Sequence, residues 1–184
     1  MTNFGKRKLI ETVLYILNKT KGLDYYRIFK IIYFANIAHL AKCGLQITTD
    51  EFCALPDGPV PSNLYNSIRN DVFCDKELQE MIDRDIAKGT DDAYYMLTAK
   101  RAANLDYLSD SERVELDKAI EENAGLSYSE IREKSHGEEW KRAFYSEIPG
   151  RKVMEVLGMA KDASASDAML EYIKEELETD YALA

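Results

Sequence analysis

The chain has few of the residues from which catalytic and metal sites are most often built. Its 184 residues include two histidines, His39 and His136, and three cysteines, none of them spaced as Cys-x-x-Cys. This scarcity argues against a histidine-based metal site, a zinc knuckle and a disulfide framework. An odd number of cysteines also suits a reducing compartment, so we expect a cytoplasmic protein that binds no metal.

Phosphate-binding and hydrolase motifs are also missing. The nine glycines are too widely separated for G-x-G-x-x-G, and neither a Walker lysine loop nor the nucleophile elbow G-x-S-x-G occurs. No apolar run approaches the ~18 residues of a membrane span. The N-terminus has no secretory pattern. The sequence therefore predicts no cofactor, no catalytic residues, no membrane partner and no enzymatic activity.

Charge is distributed unevenly along the chain. The net charge is −9, yet residues 1–43 hold eight Lys and Arg against two acids, and residues 162–184 hold seven acids against one lysine. An acidic protein is repelled by phosphate backbones, so nucleic-acid binding would depend on the basic N-terminal segment alone. We therefore expect that nucleic acid is not the partner.

Apolar periodicity and capping residues predict a mainly helical single domain over residues 1–184. A first helix is expected from Lys6 to Lys19, and a second from Asp24, a good N-cap, to Cys43 with Gly44 as its C-cap. The second helix is apolar almost all round, which is typical of the central helix of a domain.

Three of the four prolines fall within residues 56–61, and they predict a fixed, non-helical corner. A strand is expected just before it at Phe52–Leu55, and a helix resumes near Ser62. A second strand at Tyr94–Leu97 is expected to pair with the first. The predicted fold class is therefore α+β, with many helices and a small antiparallel hairpin or wing.

Helices dominate the rest of the predicted structure. Residues 70–93 carry a weak apolar stripe that indicates a short helix ending at Gly89, and an acidic helix is expected at about 166–180. Three capping boxes are expected to start short helices. These boxes are Ser109–Glu112, Ser127–Glu130 and Ser135–Glu138.

Several side chains allow both a structural and a functional interpretation. Twelve tyrosines are many for this length, and the pairs Tyr25-Tyr26 and Tyr94-Tyr95 suit either half-buried positions or a protein interface. Trp140 is either a core anchor or, if exposed, a binding hot spot. Asn36 and His39, inside the apolar second helix, either satisfy backbone groups or line a pocket.

The order of motifs resembles the Panacea domain, found in SocA-like antitoxins and phage-associated GepA-like proteins. The resemblance covers about residues 25–145, and it starts with Lys-Ile-Ile-Tyr-Phe at 30–34 and Asp-Glu-Phe-Cys-Ala at 50–54. Leu55 and Asp57 stand where the family pattern usually has aromatic residues. The residues that match the motif, and to which the resemblance gives a structural role, are Tyr33, Phe52, Gly58, Pro59, Val60, Pro61, Tyr65 and Trp140.

The resemblance implies an antitoxin that neutralises a cognate toxin, encoded nearby, through direct protein binding. It also implies that some such proteins deliver a toxin to a protease, and that the partner surface lies at 70–93 or on the C-terminal helix. The tyrosine pairs are candidate partner contacts. Two alternatives stay open: a nucleic-acid-binding regulator with a helix-plus-wing surface, and an enzyme with a pocket that joins Asn36, His39 and a carboxylate.

Overall fold

The computed structural model describes residues 1–90, 95–148 and 152–183, and it has the predicted mainly helical α+β fold. Helices surround a small two-stranded hairpin and a three-stranded antiparallel sheet. In chain order the elements are α1 (Asn3–Thr20), β1 (Leu23–Asp24), α2 (Tyr25–Cys43), β2 (Phe52–Leu55), β3 (Gly58–Pro61), α3 (Ser62–Ile68), α4 (Lys76–Asp85), β4 (Ile86–Lys88), β5 (Met96–Ala99), a 3₁₀ turn (Leu105–Tyr107), α5 (Asp110–Asn123), α6 (Tyr128–Lys134), α7 (Glu138–Phe144), α8 (Val156–Asp162) and α9 (Asp167–Leu183).

Helix α2 is the central helix, as its all-round apolar sequence predicts. It packs against α1, α5, α8, α9 and β3. The Asp24 side chain accepts a hydrogen bond from the Arg27 N–H at 2.9 Å, and Gly44 adopts the left-handed conformation that ends the helix. Both predicted ends of this helix are confirmed.

The predicted pairing of Phe52–Leu55 with Tyr94–Leu97 is wrong, because β2 pairs with β3 across the proline-rich turn. The register joins Leu55 to Gly58 and Phe52 to Pro61. The backbone N–H of Ala54, which lies opposite Pro59, points away from β3 and donates to Lys152 O at 2.9 Å. The pair is therefore not hydrogen-bonded, and the missing N–H of a proline costs nothing there.

The sheet that contains β5 is separate from this hairpin. Strand β5 lies between β1 and β4, with Leu97 opposite both Leu23 and Lys88. The predicted strand at Tyr94–Leu97 is therefore shifted to Met96–Ala99, and Tyr94 itself lies outside the described residues. This sheet holds the start of α2 beside the end of α4.

Two further local predictions differ from the structure. Helix α4 ends at Asp85 rather than at Gly89, because Ile86 enters β4 opposite Ala99. The third capping box is absent: Ser135 ends α6, with its hydroxyl donating to Arg132 O at 2.8 Å, and Gly137 is the N-cap of α7. The first two boxes are confirmed.

A buried carboxylate connects the segment before the hairpin to α3. Asp50 is 2% exposed, and its oxygens accept from the Asn63 N–H at 3.0 Å, the Asn63 amide at 2.8 Å and the Leu64 N–H at 2.9 Å. Burial raises the pKa of Asp50, while these hydrogen bonds oppose the rise. The carboxylate thereby satisfies N-terminal donors of α3 that would otherwise be unpaired.

We expect Asp50→Ala to lower the free energy of unfolding by about 2 to 3 kcal/mol, because it leaves buried N–H donors without an acceptor. Asp50→Asn retains one acceptor oxygen, so its loss should be smaller. Urea denaturation of the three proteins measures both effects. Equal stability of the alanine variant and the wild type would contradict this role.

Candidate functional site

The turn between β2 and β3 is held by side chains from three helices. Four backbone carbonyls in this turn and the adjoining ends of its strands accept hydrogen bonds from side chains on α2, α6 and α7, which satisfies acceptors that a two-stranded hairpin leaves unpaired. The contacts are Trp140 Nε1 to Leu55 O (3.0 Å), Arg132 Nη2 to Pro56 O (3.1 Å), Tyr26 Oη to Asp57 O (3.0 Å) and Lys30 Nζ to Pro59 O (2.8 Å).

Lys30 is the unusual member of this group, because its side chain is fully buried. Its ammonium lies over the ring of Tyr26, 4.8 Å from the centroid. Burial lowers the pKa of Lys30 to about 7, and the nearby Asp57 opposes that change. Lys30 belongs to the family motif quoted from the sequence but was assigned no role there, although a lysine inside a helix that is apolar on all sides was an available signal.

Gly58 allows the close approach of Lys30. Its φ is +98°, and a Cβ added there would lie 2.5 Å from Ser135 Oγ and 2.9 Å from Lys30 Nζ. Both the left-handed backbone and the crowding favour glycine.

A column of stacked rings supports the other side of the hairpin. His136 lies 3.6 Å from Trp140 with the rings nearly parallel, and Trp140 lies 4.7 Å from Phe144. Burial, with the charges of Arg132 and Lys30, lowers the pKa of His136 to about 4. His136 is therefore neutral at pH 7 and packs as an aromatic ring.

Two surface pockets flank the hairpin. One of about 380 Å³ is mainly apolar and is lined by residues that include Leu55, Val60, Tyr65, Phe144 and Lys152. The other, of about 760 Å³, is lined by polar and charged residues that include Asp57, Tyr128, Arg132, His136 and Lys141. The hairpin thus separates an apolar pocket from a charged one.

The family model described as antitoxin SocA-like, Panacea domain, matches residues 28–141. The chain belongs to this family. The matched range runs from α2 into α7, which confirms the resemblance stated from the motif order. No curated protein and no solved structure matches the chain.

The motif residues of the Panacea domain lie in and around the hairpin. Tyr33 and Phe52 meet edge to face at 5.5 Å inside the core, while Tyr65 is half-buried. This placement suits the structural role that the resemblance implies. Those that are buried are Tyr33, Phe52, Gly58, Pro59, Val60, Pro61 and Trp140.

Two of the candidate partner-binding tyrosines are buried in the interior of the fold. Tyr25 is 1% exposed and Tyr26 is 3% exposed, and Tyr95 is half-buried against Tyr25 with ring centroids 5.4 Å apart. Tyr94 is outside the described residues. Partner contact through these tyrosines stays a prediction, and the burial of Tyr25 and Tyr26 leaves little ring surface for it.

Asn36 and His39 satisfy backbone groups, one of the two roles considered for them. Asn36 Oδ1 accepts from the Thr48 N–H at 3.0 Å, and His39 Nδ1 lies 2.7 Å from Leu45 O. The other ring nitrogen of His39 lies 3.1 Å from Ser111 Oγ. Both side chains therefore fix the segment that leads from α2 to the hairpin.

Neither a metal centre nor a membrane helix is found in residues 1–90, 95–148 and 152–183. These residues contain no group of three or more His, Cys, Asp or Glu side chains placed to hold a metal ion. None of their helices is both long and apolar enough to cross a membrane.

We expect Gly58→Ala to lower the free energy of unfolding by about 2 to 4 kcal/mol, because the methyl group meets Ser135 and Lys30 and the backbone is left-handed. Gly125→Ala is a matched control, since nothing lies within 4 Å of a Cβ at that position. Thermal and urea denaturation compare the two variants, and an equal effect at both positions would contradict the crowding.

Lys30 should make stability depend on pH. Its pKa is about 7 in the folded chain against 10.5 in the unfolded one, so between these values the unfolded chain binds more protons. The free energy of unfolding should therefore rise from pH 7 to pH 9, by about 2 kcal/mol relative to Lys30→Met. Urea denaturation of both proteins at the two pH values measures this, and equal pH slopes would contradict it.

Proposed function

We propose that this chain is a cytoplasmic antitoxin that neutralises a cognate protein toxin by binding it directly, without catalysis. The observation that carries the proposal is the match to the SocA-like antitoxin family over residues 28–141. A partner encoded near this chain is the natural candidate, because the two proteins would have to be made together.

The hydrogen bonds of the buried polar side chains support a binding role. Those that could have formed an active site hold the backbone instead: Lys30 and Trp140 hold the hairpin, His39 holds the segment after α2, and Asp50 caps α3. A catalytic acid or base must reach a reacting group, and these side chains are bonded within the fold. Their placement favours a scaffold that presents a surface.

Ion pairs weaken the nucleic-acid alternative. Of the eight basic residues in 1–43, five pair with carboxylates and Lys30 is buried, so little of the segment's positive charge is free for phosphates. The paired residues are Lys6 with Asp75 and Glu77, Lys8 with Glu112, Lys19 with Asp117, Arg27 with Asp24, and Lys42 with Glu115.

The test is to express the product of each neighbouring gene with and without this chain. We expect one product to stop growth alone, and co-expression to restore growth with the two proteins purifying as a complex. Mixing the purified proteins should neutralise the toxin only up to a fixed stoichiometric ratio. A toxin that falls in abundance on co-expression, but persists in a protease-deficient host, would indicate delivery to a protease.

Two results would contradict the proposal. One is that no neighbouring product is toxic or binds this chain. The other is that a small amount of this chain inactivates an excess of toxin progressively with time, because that behaviour indicates an enzyme.

A further inference from the structure

A third pocket, of about 300 Å³, lies between α1, α4 and the 3₁₀ turn, and three arginines line it. Arg7 lies on α1, Arg84 lies near the end of α4, and Arg101 follows β5. The other lining residues are Glu11, Met81, Asn104 and Tyr107. Folding thus brings three cations that are far apart in the sequence to the walls of one pocket.

Two buried carboxylates fix two of these arginines. Glu11 is 6% exposed, and its oxygens accept from Arg101 Nη1 at 2.9 Å and from Arg101 Nη2 at 2.7 Å. Asp85 is 4% exposed, and its oxygens accept from Arg84 Nε at 2.9 Å and from Arg84 Nη2 at 2.7 Å. Arg101 Nη2 also donates to Asp85 at 2.9 Å, so one network holds both guanidinium groups. Two-point contacts of this kind fix the plane of a guanidinium group.

The guanidinium groups keep donors that the network does not use. Arg84 donates to Asp85 through Nε and Nη2, which leaves Nη1 without a partner among the described residues. Arg101 donates through Nη1 and Nη2, and its Nε is likewise left over there. The Arg84 side chain is 66% exposed, so its remaining donor is accessible from solvent. These donors are fixed in place and available to a ligand.

Arg7 adds a cation that pairs with no carboxylate in the described part of the chain. Its side chain is exposed, and it lies one turn before Glu11 on the same face of α1. Its neighbours in the sequence differ, because Lys6 pairs with Asp75 and Lys8 with Glu112. All the donors of the Arg7 guanidinium group are therefore available at this pocket.

The charges around the pocket do not cancel. Arg84 and Arg101 hold the pKa of Asp85 well below its usual range, so this carboxylate is charged at pH 7. Three arginines against the carboxylates of Glu11 and Asp85 leave one positive charge, in a protein whose net charge is −9. Positive charge in excess, together with unused N–H donors, is the complement of an oxyanion.

Phosphate suits this arrangement better than a carboxylate. Guanidinium groups bind phosphate oxygens through paired N–H donors, and a tetrahedral ion offers oxygens in several directions to arginines placed around it. A carboxylate offers two oxygens in one plane. Since the five heavy atoms of phosphate fill only part of about 300 Å³, a small ester group also has room.

We propose that this pocket binds a phosphate group, either as inorganic phosphate or as the phosphate of a small monoester. Arg84 and Arg101 offer donors that the buried carboxylates hold in place, and Arg7 supplies the unpaired charge. The inference is independent of the proposed antitoxin function, because the pocket shares no lining residue with the two pockets beside the hairpin.

Isothermal titration calorimetry with inorganic phosphate tests the site, in HEPES buffer with the ionic strength kept constant by sodium chloride. We expect one phosphate per chain with a Kd below about 1 mM, and binding of acetate at least about tenfold weaker. Because the ligand binds only the folded chain, ~10 mM phosphate should raise Tm by about 3 °C over chloride of equal ionic strength. Absence of binding, or acetate binding as tight as that of phosphate, would overturn the inference.

The variant Arg7→Gln tests the assignment to this pocket with little risk to the fold, because Arg7 is exposed and outside the ion-pair network. Its affinity for phosphate should fall at least about tenfold, while Tm without ligand stays unchanged. Lys21→Gln is the matched control, since Lys21 is another exposed cation of the N-terminal segment and does not line the pocket. Wild-type affinity in Arg7→Gln, or an equal loss in both variants, would place the binding elsewhere.

A second variant, Arg84→Gln, tests the donor that the network leaves over. Arg101 still donates to Asp85 in this variant, so the chain should fold, and thermal melting checks this. We expect phosphate to bind at least about fivefold more weakly than to the wild type. Unchanged affinity in a folded Arg84→Gln protein would contradict the proposed mode of binding.

The same titration with methyl phosphate and adenosine 5′-monophosphate identifies the source of the phosphate group. Tighter binding of either ester than of inorganic phosphate indicates a small phosphorylated compound, and tighter binding of inorganic phosphate indicates the free ion. Both results support the site if Arg7→Gln weakens all three ligands. Ester binding that is unaffected by Arg7→Gln would overturn the inference.

Discussion

The hydrogen bond from Lys30 to the carbonyl of Pro59 brings a buried amine from the central helix to a turn that has no side chain at Gly58. Burying an amine is unfavourable unless it is bonded, and here one acceptor and the ring of Tyr26 offset part of that cost. The contact fixes the hairpin on α2. Because Trp140 bonds the carbonyl of Leu55 at the start of the same turn, α7 is fixed to the hairpin as well.

Most of the positive charge of the basic N-terminal segment is paired within the fold. Basic residues of α1 and α2 pair with acids far along the chain, as in the contacts of Lys8 with Glu112 and of Lys42 with Glu115. The distribution of charge along a sequence therefore predicts the charge of the folded surface poorly, because folding decides which charged side chains remain unpaired.

Sequence motifs predicted correctly the helix ends that depend only on contacts between neighbouring residues. The N-cap Asp24 and the boxes at Ser109 and Ser127 set helix ends through contacts within one turn, and all three are confirmed. Pairing of β2 could not be predicted in this way, because a proline corner is commonly taken to end a strand. The strand Gly58–Pro61 can form because Pro59 and Pro61 occupy positions that make no backbone hydrogen bond to β2. Only the register of the two strands shows this.

The pockets beside the hairpin combine residues that are far apart in the sequence, which is why the motif residues alone did not predict them. The motif identified the family, and its residues are mostly interior: they hold the hairpin and leave little surface for a partner. The surface beside this scaffold includes the two pockets that the scaffold shapes.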